Sequence, residues 1–450
     1  MTTAMSRKRA PSSDQLRALV WFWPTVAAAG SLVVTLLLLL VRPEPDSALA
    51  EWTWPGDPSS ASSLLQTVAT AVMTAASLTF SLTVVALQLA SQQFSPRLLR
   101  SFARDGVVQT AMAVFVSAFV ASLTALRGID PERRLPVLAL LLCFLLGLVS
   151  GVMLLVFVGH LVRRLRVDNM MSSAHRDTRT SLEAAYPPRG TGPGGPEDDL
   201  PGPDGGVLVP AWRSGFVRTL DPAPLVRAAR DHGLVLWVGL RPGDSVIEGS
   251  PVAAAFSDDG QEVSVDALEG AFRKSVALGF ERTEEQDVGF GLRQLVDIAI
   301  KAISPAVNDP TTAAEALGYC GDLLVRLQGR SLGAQLHKDD DGTPRVVLAD
   351  RDLRYYLDLV CAQARRFGRG EPVVLTALLR LLRDMAVAAP DDEQRREIAG
   401  QAAMVVAQMS DDLLQEDADA VRDHARRVEL ALSGEVAAAF RDRAGETRSI

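Results

Sequence analysis

Four long apolar stretches, none with an acidic or basic residue in its interior, constrain this chain more than any other feature. They cover residues 18–41, 64–90, 107–126 and 135–162. A helix needs about 20 apolar residues to cross the hydrocarbon core of a bilayer, and core helices of soluble proteins rarely reach that length without a charge. We therefore predict an α-helical polytopic membrane domain of four transmembrane helices over residues 18–162.

The composition agrees with a division of the chain into apolar and charged regions. The 450 residues are 48% hydrophobic yet 22% charged, and most of the charges lie in the last two thirds. These figures exclude a single soluble globule and a disordered chain. The net charge of −8 argues against nucleic acid as a partner. The partner that the sequence predicts directly is the lipid bilayer.

The basic residues of the connecting segments predict the orientation of the four helices. Ten arginines and lysines lie before the first stretch, between the second and third, and after the fourth, whereas four lie in the other two connections. Basic residues accumulate on the cytoplasmic side of a membrane. We therefore expect residues 1–17 and the carboxy-terminal region to be cytoplasmic, in the inner membrane of a bacterium.

A cleaved signal peptide is the competing interpretation of the first 50 residues. The basic segment Arg7–Arg9, an apolar run and the small residues Ala48–Ala50 have the required order. The apolar run is longer than a signal peptide uses, and Arg42–Asp46 separates it from the small residues. We therefore favour an uncleaved helix; cleavage would leave the later topology unchanged.

The second stretch carries a row of polar side chains. At 100° per residue they fall within one sector about 80° wide. They are Gln66, Thr70, Thr74, Ser77, Ser81 and Gln88. Small hydroxyl residues can serve close packing of helices, or they can line a polar pathway through an oligomer. On the second interpretation Thr70, Thr74, Ser77, Ser81 and Gln88 are the candidate pathway-lining residues, and the protein is a homo-oligomer.

Proton relays and ion-coupled carriers usually keep an ionisable group within the membrane. The four stretches offer only His160, near the end of the fourth. We expect this imidazole to reach the cytoplasmic interface, as amphipathic side chains do at helix ends.

The region that follows the membrane domain is predicted to be a cytoplasmic α+β region. Its segments are a helix (163–186), a linker (187–206), a small β module (207–258), a helical bundle (259–433) and a disordered tail (434–450). The linker has 13 Pro or Gly among its 20 residues, which is typical of a flexible connection without a packed core. Short β-prone runs between turns indicate the β module, and apolar faces at helical spacing indicate the bundle.

A tight helix–turn–helix corner is predicted between residues 282 and 312. One amphipathic helix covers Asp287–Ile303, and Pro305 ends it by disfavouring helix at the residue before. Asp309 caps the next helix, with Pro310 at its first position. We expect nine polar residues to crowd around this corner. They are Arg282, Gln286, Asp287, Asp297, Lys301, Asn308, Asp309, Thr311 and Thr312. They form either a buried network that fixes the angle between the helices or a ligand pocket at a helix N-terminus.

The same segment resembles the signature of a bacterial family of predicted membrane proteins with a domain of unknown function. The similarity follows Arg-Thr, Gln-Asp, Phe-Gly, Asp-Ile-Ala, Ser-Pro and Asn-Asp-Pro-x-Thr-Ala across residues 282–313, and the segment SLTVVALQLASQQFSPR at 81–97 resembles the family's other marked stretch. This resemblance covers nearly the whole chain. It implies an amino-terminal membrane domain and a cytoplasmic carboxy-terminal region, and it implies no activity.

No motif points to catalysis or to a cofactor. The sequence has no phosphate-binding loop and no nucleophile elbow, and its five histidines lack the spacing of metal ligands. We therefore expect a protein that is not an enzyme and needs no cofactor. Two functions remain: a channel-like or transport-related oligomer with a cytoplasmic regulatory domain, and a membrane-anchored sensor or scaffold that binds a ligand or partner at the 282–312 corner.

Overall fold

The computed structural model describes residues 22–41, 57–93, 105–130, 135–164, 166–191, 194–195, 200, 202, 204–257 and 263–441. The chain folds into two compact units, Met1–Met170 and Met171–Ile450. The predicted cytoplasmic tail (1–17), the possible cleavage site at 48–50 and the end of the predicted disordered tail (442–450) lie outside the described residues.

The membrane unit consists of four helices that are long and apolar enough to cross a bilayer. They are α1 (Phe22–Leu40), α2 (Pro58–Gln93), α3 (Gly106–Arg127) and α4 (Val137–Arg164). The helix α2 begins six residues before the predicted Leu64, because the Asp57 carboxylate accepts a hydrogen bond from the Ser60 amide at 2.9 Å and caps the helix. Hydroxyl residues after Pro58 therefore belong to the helix, although they are not apolar.

Helix α3 has the largest buried share of the four membrane helices and packs against each of the others. Small side chains at its contacts let neighbouring backbones approach closely. One layer of the core joins Leu65 of α2 to Ala121 of α3 and Leu140 of α4. A second layer joins Phe115 of α3 to Phe157 of α4, and both rings are completely buried. The membrane unit is thus a bundle built around α3.

Helix α5 (Val167–Ala185) lies mostly in the second unit, which starts at Met171. Two sheets follow. A five-stranded sheet has the order β1-β5-β3-β8-β7, and a three-stranded sheet has the order β4-β2-β6. The strands are β1 (Val207–Pro210), β2 (Gly215–Leu220), β3 (Leu234–Val238), β4 (Ser245–Val246), β5 (Pro251–Ser257), β6 (Val276–Gly279), β7 (Gln335–Lys338) and β8 (Pro344–Leu348). Every pairing is antiparallel except that of β3 with β8.

Nine further helices complete this unit. They are α6 (Ala223–Asp231), α7 (Val265–Ser275), α8 (Val288–Ala302), α9 (Pro310–Gln328), α10 (Leu353–Phe367), α11 (Pro372–Ala388), α12 (Asp392–Ala407), α13 (Gln415–Leu432) and α14 (Val436–Ala439) among the described residues. Helix α11 packs against α9, α12 and α13, and its Leu375, Leu378 and Leu382 are completely buried. The bundle is therefore organised around α11.

The structure corrects the predicted division into a β module (207–258) and a helical bundle (259–433). Strands β6, β7 and β8 lie beyond residue 258, yet β6 pairs with β2 and β8 pairs with β3. Leu236 and Val346, which face each other in that parallel pairing, are both completely buried in one core. The two predicted domains are a single α+β unit, because its sheets use strands from both.

The start of the predicted flexible linker (187–206) is also bound to this unit. The Arg189 amide donates to the Gly329 carbonyl at 2.9 Å, and the Ser331 amide donates to the Pro187 carbonyl at 3.0 Å. The Leu336 amide donates to the Gly194 carbonyl at 2.8 Å. The backbone carbonyls of proline and glycine accept hydrogen bonds like those of any other residue, so composition alone did not predict these attachments.

Candidate functional site

The polar row of the second stretch lies on α2 and points away from the rest of its protomer. All six side chains from Gln66 to Gln88, which we call the α2 polar face, are exposed. The opposite side of the helix is buried against α3 and α4. Its buried residues are Ala61, Leu65, Ala69, Val72, Thr79 and Ala86. The polar face therefore does not serve packing within the described protomer.

The hydroxyls of the α2 polar face are only partly satisfied by the helix itself. The Thr74 hydroxyl donates to the Thr70 carbonyl one turn earlier, at 2.8 Å. Among the residues that the structure describes, no protein group hydrogen-bonds the hydroxyls of Ser77 and Ser81. Exposed apolar side chains flank this face, with Met73 55% and Phe80 51% exposed. The face is thus a narrow polar strip on an otherwise apolar surface.

An ionisable cluster that the sequence analysis missed lies at one end of the membrane unit. Asp105 caps α3 through the Val107 amide at 2.9 Å, and its side chain is 3% exposed. Its carboxylate also accepts a hydrogen bond from His160 Nε2 at 2.7 Å and forms an ion pair with Arg164, whose Nε lies 3.2 Å away. His160, which we expected to reach the interface, is 21% exposed, and its ring also contacts this buried carboxylate. Asp105 precedes the third apolar stretch by two residues, so the search for charges inside the stretches could not find it.

In the second unit, a buried carboxylate lies at the start of α8. Asp287 is completely buried and caps this helix by accepting from the Phe290 amide at 3.0 Å. Arg282 donates to it from Nε at 2.9 Å and from Nη2 at 2.6 Å. Arg351, itself 6% exposed, places Nη1 3.6 Å from the other carboxylate oxygen. The negative charge is therefore shared between a helix N-terminus and two guanidinium groups.

The loop that contains Pro242, Gly243 and Asp244 packs against Arg351 and Asp287. Arg351 also donates to Asp244 Oδ1 at 3.1 Å and to the Pro242 carbonyl at 2.8 Å. Burial raises the pKa of Asp244, and the attraction of Arg351 opposes that shift. Gly243 has a φ of 90°, and a Cβ there would overlap the Asp287 carboxylate. The loop thus approaches the carboxylate closely because this residue has no side chain.

A second buried polar contact lies between α5 and α10. The hydroxyls of Tyr186 and Tyr356 are 2.8 Å apart, and their rings meet edge to face. Withdrawal from water raises the pKa of both phenols. Burial likewise raises the pKa of Asp350, against the opposing effect of the Arg351 amide that donates to it at 2.7 Å. These groups fix the end of α5 on the second unit.

The other predicted corner residues lie further along α8 or after it, away from the Asp287 carboxylate. Asp309 caps α9 through the Thr312 amide at 3.1 Å and the Thr312 hydroxyl at 2.6 Å, and these hydrogen bonds lower the pKa of its carboxyl. Asn308 is exposed and is the one non-glycine residue with a positive φ, 51°, in the part of the chain that the structure describes. Thr311 is exposed as well, and Lys301 and Asp297 are half-buried on α8.

The structure therefore separates the predicted corner residues into two groups at the ends of α8, with Asp297 on the helix between them. Arg282, Gln286 and Asp287 lie at the start of α8, where Gln286 Oε1 accepts from the Leu220 amide at 2.9 Å. Asp309 lies at its other end, where its amide donates to the Ala302 carbonyl at 2.8 Å. Fifteen residues of helix separate the two ends, which is about 22 Å at 1.5 Å per residue. One pocket containing all nine residues does not fit this geometry.

The described residues contain no group of three His, Cys, Asp or Glu side chains that could hold a metal ion. The cysteines of the second unit, Cys320 and Cys361, are completely buried. Burial raises the pKa of both thiols, that of Cys361 to about 12. Neither thiol has the lowered pKa and the exposure of a nucleophile.

The chain matches the family described as predicted membrane protein (DUF2254) over residues 17–384. An uncharacterized protein of Mycobacterium bovis is 33% identical over 417 residues, which cover 90% of this chain and 78% of that protein. Uncharacterized proteins from two strains of Mycobacterium tuberculosis are 33% and 32% identical, with the same shares covered. No solved structure matches the chain. The chain belongs to the DUF2254 family of predicted membrane proteins.

Proposed function

We propose that the protein is a channel-like homo-oligomer of the bacterial inner membrane, in which α2 polar faces from several protomers line a polar path. The observation that carries this proposal is the exposure of the entire face on one protomer. Polar side chains in a membrane usually face the interior of a bundle or a water-filled cavity rather than lipid. A second protomer, or the water between several protomers, would provide that environment.

The size of the protomer supports an oligomer as well. The other three helices pack around α3, and the core that they share consists of completely buried side chains such as Leu65 and Phe115, so no polar path runs through this core. A path along α2 would therefore run between protomers. The hydroxyls would offer weak, repeated contacts, which is the condition for conduction rather than tight binding.

The second unit would act as the regulatory part, on the cytoplasmic side that the ten basic residues predict. Helix α5 is the chain segment that leads into this unit, and it is held there at several points. Ser181 Oγ donates to the Glu284 carbonyl at 2.5 Å, and His175 Nε2 lies 2.7 Å from Asp322 Oδ2. A change in the second unit would thus act on α5, the helix that follows α4 in the chain.

The test combines mass and flux. The full chain is purified in dodecyl maltoside, its mass is measured by light scattering, and it is then reconstituted in KCl-loaded liposomes whose K⁺ efflux into choline chloride is recorded. We expect a discrete oligomer and an efflux that Thr74→Leu/Ser77→Leu lowers by about tenfold or more, because leucine makes the path apolar. The matched control is Thr124→Leu on α3, whose hydroxyl makes the same bond to a carbonyl one turn earlier, at 2.7 Å. A monomer, an absence of K⁺ efflux, or equal loss with the control would refute the proposal.

The orientation has its own test. All three native cysteines are buried, so a cysteine introduced at exposed Gly370, which has open space around it, would be the accessible thiol among the described residues. We expect a membrane-impermeant maleimide to label Gly370→Cys only after the cells are opened. Labelling of intact cells would place the second unit outside and would overturn the cytoplasmic assignment. The alternative function, a sensor that binds a ligand at the 282–312 corner, receives less support, because the two groups of corner residues lie at opposite ends of α8.

A further inference from the structure

A groove in the membrane unit carries a further inference. It has a volume of about 530 Å³, which is within the usual range of small-molecule sites. Trp23 and Val26 of α1 form one wall, and Gly106, Gln109, Ala113 and Ser117 of α3 form the other. All of these residues belong to helices that are long and apolar enough to cross the bilayer. A ligand that reaches this groove therefore comes from the lipid phase.

The length of the groove matches one leaflet. Gly106 and Ser117 mark its extent along α3, and eleven residues of helix rise about 16 Å. Half of the bilayer hydrocarbon core measures about 15 Å. The walls are mostly apolar, with small side chains at Gly106 and Ala113 that leave the space open. One extended hydrocarbon chain fits this length and this lining.

The polar end of the groove is defined by Gln109. This residue is 8% exposed and lines the groove. Within the described part of the chain, no protein atom hydrogen-bonds its side-chain amide. Nine tenths of this side chain is withdrawn from water, and polar groups in such surroundings are normally hydrogen-bonded. A ligand that supplies an acceptor at this depth would satisfy it.

The position of Gln109 indicates which part of a lipid it meets. It lies one turn into α3 from Asp105, whose cluster with His160 and Arg164 marks the charged end of the membrane unit. The indole of Trp23 lines the opposite, α1 wall of the same groove, and tryptophan prefers the interface between headgroups and acyl chains. The ester carbonyls of a glycerophospholipid occupy that level.

We propose that this groove binds one glycerophospholipid, with an acyl chain between α1 and α3 and an ester carbonyl accepting a hydrogen bond from the Gln109 amide. The lipid is a structural ligand of the protomer and enters sideways from the leaflet. This inference does not depend on the channel proposal, because the groove lies between α1 and α3 whereas the polar face lies on α2.

Native mass spectrometry of the full chain in dodecyl maltoside, titrated with 1-palmitoyl-2-oleoyl-phosphatidylglycerol, tests the proposal. We expect the wild type to retain one lipid per protomer. Ala113→Trp should weaken this binding by about tenfold or more, because the indole fills the groove. Gln109→Leu should weaken it about fivefold, the equivalent of one net hydrogen bond. The matched control is Val152→Trp on the exposed side of α4, which should bind as the wild type does.

Each contrary outcome has a distinct meaning. Wild-type affinity in Ala113→Trp, or an adduct that all variants retain equally, would show annular lipid or detergent only and would overturn the proposal. A change of oligomeric mass without a change of lipid binding would show that a second protomer covers the groove, which also overturns it. If Ala113→Trp fails to fold, Val26→Trp fills the groove from the α1 wall, and the same outcomes apply.

Discussion

Two aspartates that cap neighbouring helices offer a test of how much burial adds to capping. Asp287 and Asp309 each accept a hydrogen bond from the backbone amide three residues later, at 3.0 and 3.1 Å. Asp287 is completely buried between two guanidinium groups, whereas Asp309 is half-buried and pairs with a threonine. Alanine at either position removes the cap, but only Asp287→Ala also removes the carboxylate of a buried charge network.

The structure gives different magnitudes for the two variants. Loss of an N-cap costs about 1 kcal/mol of the free energy of unfolding, and this is the whole expected effect of Asp309→Ala. Asp287→Ala also leaves Arg351 buried without its carboxylate, a change that costs about 3–5 kcal/mol when no partner remains. Asp244 still pairs with Arg351, so we place the total for Asp287→Ala at about 4 kcal/mol.

The assay is thermal unfolding of the full chain in dodecyl maltoside, followed by tryptophan fluorescence, with Trp212 and Trp237 in the second unit. At about 2 °C per kcal/mol for a unit of this size, Asp287→Ala should lower the Tm by about 8 °C and Asp309→Ala by about 2 °C. Asp287→Asn keeps a capping oxygen and loses the charge, so its Tm should lie between those of the two alanine variants. If Asp287→Ala and Asp309→Ala melt within about 2 °C of each other, burial and ion pairing add nothing to the cap, and the reasoning is refuted.

Two further predictions concern the same unit. A Cβ at Gly291 of α8 would overlap the Thr178 hydroxyl of α5, so Gly291→Ala should lower the free energy of unfolding by about 2 kcal/mol. Gly318 has open space around it, so Gly318→Ala should raise that free energy by up to about 1 kcal/mol. Equal shifts of Tm in both variants would contradict the close contact at Gly291. Burial lowers the pKa of His337, so the unfolded chain takes up the proton first, and stability should fall as the pH drops below about 6.5. His337→Gln should make that fall less steep in melts between pH 7 and pH 5. Half-buried His424, whose pKa is also lowered by desolvation, should account for part of the remaining fall. An unchanged slope in His337→Gln would show that His337 does not contribute.

The sequence was sufficient for features that depend on local composition. A run of about 20 apolar residues defines a membrane helix whatever surrounds it, and Asp309 with Pro310 defines a helix start by local hydrogen bonding alone. The periodicity of α2 likewise identified the polar row. It could not show whether that row faces inward or outward, because this depends on where α3 and α4 pack.

Features that depend on distant parts of the chain were not predictable in this way. Strands β6 and β8 are short, and their partners β2 and β3 precede them by many residues, so no local pattern connects them. The nine corner residues are close in sequence, but the 15 residues of α8 keep the two end groups apart. Asp105 was missed for a related reason, since its partner His160 belongs to another helix.

The parallel pairing of β3 with β8 has a consequence for the synthesis of the protein. Val346 lies on β8 and pairs with Leu236 on β3, so the five-stranded sheet stays incomplete until the ribosome has released the chain beyond α9. During that interval the nascent chain presents β3, with its apolar residues, as an open edge, which is a template for pairing with other chains. A premature stop before Pro344 would therefore leave the product aggregation-prone, even though every helix of the membrane unit had already been made.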